Sequence, residues 1–188
     1  SSAGFNVVSR SHLTELQRAG KTVDVPTTSN NIGTGPVKAY ISFGTTEQYI
    51  VGGNQIQMKV QAKDLGDGSF VKILDNHLSI VVPKDWWDSV PEADRSTVCT
   101  NKFSKVSEDA NTVTLSNTLP ISAGSTTATI DASIPLINRQ TPEIVCNFKA
   151  PDLDAGANPI PQKSYNVIVK LIDYAYNIDG KQVVDIKP

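Results

Sequence analysis

Few residues in this chain have the types and spacing that could do chemistry. There are two cysteines, Cys99 and Cys146, and two histidines, His12 and His77. Cys146 lies in EIVCNFK, in phase with Ile144 and Phe148, the set that alternation turns inward. Cys99 follows Val98 in a polar stretch. The pair reads as a disulfide tying the excursion 84–110 to a core strand. Closing a loop of that length stabilises by about 4 kcal/mol in the chain-entropy account. The plainer alternative is two unrelated buried thiols that pack as small apolar groups. Neither histidine neighbours a nucleophile in sequence, and GxSxG and HExxH are both missing. Two cysteines and two distant histidines also lack the ligand spacing of a zinc site. No catalytic, metal or cofactor-binding residue is therefore assigned, and no cofactor is expected.

The acidic residues give weaker signals. Asp64-Leu65-Gly66-Asp67-Gly68 sets hard oxygen ligands around a glycine, as calcium loops do. The third acid and the distal glutamate of an EF-hand are missing, so a plain turn is the competing reading. Asp85, Asp88, Glu92 and Asp94 cluster in sequence without the opposed placement that a glycosidase pair requires. Between the first two stand Trp86 and Trp87, the only tryptophans. In a strand or turn such neighbours point opposite ways, which makes Trp86 and Trp87 a candidate ligand or docking surface. The alternative is that one pins the excursion to the core and the other covers its edge.

The N-terminal segment carries the remaining candidate. GFNVVSR puts Phe5 and Val7 on one face, followed by Val8, and TVDVP is a second short β-prone run. A β-prone segment must pair somewhere, since unpaired backbone groups are costly. Phe5, Val7 and Val8 are read as a candidate intersubunit strand, added to the groove of a neighbouring subunit. Pairing within its own chain is the simpler alternative.

The elements that would position these residues are mostly strands. In QIQMKVQA, residues 55–62, Ile56, Met58, Val60 and Ala62 share one face and the polar residues the other. VKAYISF (37–43) alternates in the same way, and FVKILDNHLSIVVP (70–83) reads as two strands, or one bent at Asp75-Asn76, ended by Pro83. Further strands are expected at 111–116, 125–131, 143–149, 164–176 and 181–186, the last two joined by a hairpin turn at Asn177-Ile178-Asp179-Gly180. Ser11–Gly20 is the one helical pattern, with serine as cap, a Leu13/Leu16 stripe and Gly20 as stop. WWDSVPEADRS holds another short helical turn. PTTSNNIGTGP (26–36) reads as a linker, so residues 1–30 are taken as an arm of strand plus short helix, and 31–188 as a β domain. The fold class expected is all-β: an antiparallel, immunoglobulin-like β-sandwich with a short N-terminal helix and arm.

Composition narrows the partners. Over 188 residues, 17 Lys+Arg face 19 Asp+Glu, a net charge of −2, which leaves no basic stripe for nucleic acid. No run approaches the roughly 18 apolar residues of a membrane helix. Charged residues make up 19%, below the roughly 25% of ordinary domains, and uncharged polar residues fill the gap. That composition suits an extracellular or cell-surface protein. SSAGF resembles no signal peptide, so any signal is expected to have been removed before residue 1.

The segments PEIVCNFKAP…KSYNVIVKLIDYAYNIDGKQVVDI and PVKAYISF…QIQMKVQAKDLGDGSF together span about half the chain. They resemble the strands of immunoglobulin-like modules on microbial, especially archaeal, cell-surface proteins. The Cys…Trp…Cys spacing of antibody domains is absent. The resemblance implies a structural or adhesive role and transfers no catalytic residue. The function expected is a non-enzymatic extracellular subunit that self-associates into a homopolymer. One form would be a pilus-like filament built by N-terminal strand addition. The alternative is a monomeric β-sandwich module binding carbohydrate or serving adhesion.

Overall fold

The computed structural model describes residues 1–24, 28–29, 35–45, 49–100, 103–118, 133–155, 158–172 and 174–177. In chain order the elements are β1 (Ser2–Val8), α1 (Arg10–Arg18), β2 (Thr28–Ser29), β3 (Val37–Phe43), β4 (Tyr49–Val51), β5 (Gln55–Asp64), β6 (Ser69–Ile73) and β7 (Leu78–Pro83). They continue with α2 (Lys84–Asp88), a 3₁₀ helix over Glu92–Thr97, β8 (Ser104–Glu108), β9 (Thr112–Ser116), β10 (Ile134–Pro135), β11 (Ile144–Lys149), β12 (Gln162–Leu171) and β13 (Tyr174–Asn177). Strand dominates and the sheets are antiparallel, with the β1–β4 pair the parallel exception.

A seven-stranded sheet runs β2-β1-β12-β7-β9-β8, with β4 beside β1. Two three-stranded sheets run β11-β5-β3 and β10-β6-β13. Alternation sets what each strand buries. Ile56, Met58, Val60 and Ala62 of β5 are buried, and the register puts Met58 opposite Cys146 and Phe43, and Val60 opposite Ile144 and Ile41. These residues share one core with Phe5, Val7, Ile80, Val82, Val113, Leu115, Val167 and Val169 of the large sheet.

The run 70–83 divides at Asn76, which has a φ of 60°, a left-handed conformation that Asn adopts more readily than most side chains. Asn117 holds this turn, accepting from the Leu78 N–H and donating to the Leu74 carbonyl. The turn sends β6 and β7 into different sheets. That division corrects the reading of 164–176 as one strand. Where β7 begins, at the pair Leu171↔Leu78, β12 loses its partner, and the chain crosses over to β6 as β13. The strands expected at 125–131 and 181–186, and the turn beyond Asn177, lie outside the described residues. Strand β8 went unanticipated because SKVSE has little apolar alternation: Val106, its one aliphatic residue, is exposed at the sheet edge.

Candidate functional site

The expected intersubunit strand is β1, and here it is a full member of the large sheet. It pairs antiparallel with β12 over its whole length, from Ser2↔Ile168 to Val8↔Gln162. On its other side it pairs parallel with β4 at Asn6↔Tyr49 through Val8↔Val51, and antiparallel with β2 at Ser2↔Ser29. The ladder extends at both ends: the Val169 N–H donates to the Ser1 carbonyl (2.8 Å), and the Ser9 N–H donates to the Pro161 carbonyl (2.9 Å). Residues 3–8 are all buried. Phe5 is 1% exposed, with Phe43 at 4.3 Å and Trp86 at 5.8 Å between ring centroids. Phe5, Val7 and Val8 thus fill a groove between β12 and β4 of their own chain.

Helix α1, directly after β1, is packed very differently. It has no buried residue, and its Leu13/Leu16 stripe is only half covered. Its cap is Ser9, two residues earlier than expected, whose hydroxyl accepts from the His12 N–H at 3.1 Å. Gly20, with φ 66°, closes the other end in a left-handed turn, where the Lys21 N–H reaches the Leu16 carbonyl. The helix start is tied down by Asp154, which accepts from the Arg10 N–H at 2.7 Å and the Ser11 hydroxyl. The Ser11 bond is the chief reason the Asp154 carboxyl titrates below its ordinary value. The arm therefore consists of a deeply buried strand and a surface helix held by polar contacts.

Trp86 and Trp87 do not form a surface. They are 0% and 3% exposed. KDWWD folds as the helical turn α2, in which neighbours are about 100° apart, so both indoles fit on one buried arc where a strand would have split them. Trp86 is ringed by Phe5, Phe43, Phe148 and Tyr165, and Trp87 lies under the Arg95 guanidinium, 5.4 Å from the ring centroid. Beside them Asp85 takes hydrogen bonds from Lys163 and from the Tyr165 hydroxyl at 3.0 Å. Burial alone would raise the Asp85 carboxyl, but these bonds hold it below the usual range. Burial, reinforced by the Asp85 charge, pushes the Tyr165 hydroxyl strongly upward. Tyr165 pairs with Phe5 across the β1–β12 ladder, so this cluster backs the strand groove.

Cys99 and Cys146 form a disulfide. It fastens the 84–100 excursion to β11, aided by the Asn147 N–H to the Val98 carbonyl and the Thr100 N–H to the Val145 carbonyl. In the Asp64–Gly68 loop, Asp64 is consumed internally: it accepts from the Gly66 and Phe70 N–H groups and from Arg139. Among the described residues no three His, Cys, Asp or Glu side chains gather as metal ligands. His12 lies 3.6 Å from Glu15, and the His77 ring bonds the Asp75 carbonyl. No helix among the described residues is long and apolar enough to cross a membrane. Compared with known proteins, the chain matches no family model, and no curated protein or solved structure is significantly similar to it.

Proposed function

We propose that this protein is a non-enzymatic structural subunit of an extracellular surface assembly, and that it polymerises by strand exchange. In this reading an immunoglobulin-like sandwich offers its β12/β4 groove to the β1 strand of the next copy. One observation carries it: a seven-residue ladder between β1 and β12, buried from residue 3 to residue 8, followed at once by a helix with no fully buried residue. All the partners of β1 on β12 lie more than 150 residues away in sequence, and a second copy can supply them unchanged. Exchange then conserves the contacts, and the balance is set by the connecting segment and the concentration. Each subunit gives one strand and receives one, so the contact is head-to-tail and grows into a filament unless it closes as a ring. The disulfide suits the oxidising compartment that such an assembly occupies. The carbohydrate-module reading loses its support at the tryptophans, because both are buried.

Crossed cysteines test the exchange. Ser1 and Val169 exchange both backbone hydrogen bonds, so Ser2 and Ile168 next to them form a pair whose backbones do not bond to one another, the closer type of cross-strand pair. A mixture of Ser2→Cys and Ile168→Cys chains, assembled and then mildly oxidised, should give covalent dimers joined between the two variants. If the mixture yields only monomers, while the double variant closes within its own chain, β1 stays at home and the proposal fails.

A further inference from the structure

A second feature, independent of strand exchange, lies on the other side of the disulfide. Between the Ser89–Val98 segment and the end of β11 is an open cleft of about 400 Å³, a volume typical of small-ligand sites. Six polar side chains line it: Ser89 and Thr97, whose hydroxyls donate to the Asp85 and Asp94 carbonyls, and Gln55, Asp94, Asn147 and Lys149. Among the described residues the side chains of the last four make no hydrogen bond or ion pair, although the cleft brings an amide pair, a carboxylate and an ammonium together. Exposed Pro91 is the apolar group at its mouth, while Val90, Val98 and Phe148 behind it are buried in the core. The walls are fixed to each other, since Val98 adjoins Cys99 and Asn147 adjoins Cys146.

The backbone defines the size of ligand. The 98–100 segment pairs with β11 only as far as Asn147, and at Thr97 the chain turns away into the 3₁₀ helix. Ala150 bonds the Asn54 carbonyl on the β5 side, so alternation aims the Lys149 N–H and C=O outward, toward the cleft. The next outward position is Pro151, which has no N–H. An incoming strand would gain a single rung, too little for strand addition, whereas a small ligand gains one fixed donor and acceptor.

Charge and chemistry then choose the class. Asp94 and Lys149 cancel, which disfavours phosphorylated or otherwise strongly charged ligands. Amide, carboxylate, ammonium and backbone groups in one cleft match several hydroxyls that both donate and accept, and the exposed Pro91 ring matches the C–H face of a pyranose ring. We propose that this cleft is a saccharide site that takes a neutral mono- or disaccharide.

The test is an NMR titration of the full-length, oxidised chain with the methyl glycosides of glucose, galactose, mannose and N-acetylglucosamine, and with maltose and lactose. At least one probe should give saturable amide shifts confined to residues 89–98, 147–149 and 53–55. Asn147→Ala and Asp94→Ala should each weaken that binding about tenfold or more without lowering Tm, because each removes a hydrogen-bonding group from an open cleft. Reducing the disulfide should weaken it too, by freeing the two walls. The proposal is overturned if no probe gives saturable shifts, or if the shifts lie elsewhere. It is equally overturned if binding survives both variants, or if glucuronate or glucosamine binds tenfold tighter than the neutral sugars.

Discussion

Phe5→Ala is the sharpest single perturbation of the strand groove. The side chain is almost wholly buried, tilted at 39° against Phe43 and edge-on to Trp86. Truncating a buried phenylalanine costs about 3–5 kcal/mol. Each aromatic pair adds about 0.5–1.5 kcal/mol beyond area burial, which places this site at the upper end of that range. The loss would be a large part of the roughly 5–15 kcal/mol that holds a domain folded. Urea unfolding followed by tryptophan fluorescence is the natural assay, since both indoles are buried and Trp86 touches the altered ring. Met58→Ala, deep in the other sheet, should cost about 2–5 kcal/mol, and Val106→Ala on the exposed edge under about 0.5 kcal/mol. If Phe5→Ala costs less than about 1 kcal/mol while Met58→Ala behaves as expected, β1 is not part of the packed core. Both the groove and the exchange proposal would then be wrong, because a strand from a neighbour must bury the same ring.

Two further outcomes rest on the disulfide and on Asp64. The denatured, non-reduced protein should show no free thiol, and reducing Cys99–Cys146 should lower stability by about 4 kcal/mol; two titratable thiols would contradict the structure. At Asp64, burial raises the carboxyl, but the Gly66 and Phe70 N–H groups and Arg139 outweigh it, so the folded value lies below the ordinary 3.8. A depressed carboxylate contributes stability above its unfolded value and loses it as pH falls through the folded one. Thermal melts should therefore fall as pH drops below about 4, and the fall should be shallower in Asp64→Asn; equal slopes would remove Asp64 from the acid response.

Much of this protein was legible in one dimension. Alternation is a property of the backbone itself, so the buried faces of 37–43, 55–62 and 144–149 could be read directly, and with them the inward phase of Cys146. Pro83 and Asn76 acted where local sterics required. Tertiary structure decided everything that depends on a partner distant in sequence. Whether Phe5, Val7 and Val8 are detached or enclosed is fixed by β12, which lies more than 150 residues away and leaves no trace in GFNVV. Trp86 and Trp87 turn inward together because the chain forms a helical turn there, and that turn is held by packing against β7, β9 and β11. The split of 164–176 between two sheets was set by the Asn76 turn of other strands. The cleft beside the disulfide lies where the chain leaves the edge of β11 at Thr97 for a 3₁₀ helix, beyond the Val98 bond to Asn147. Local period is set by residue type, whereas pairing and enclosure depend on loop closure over long separations, which no window of sequence contains.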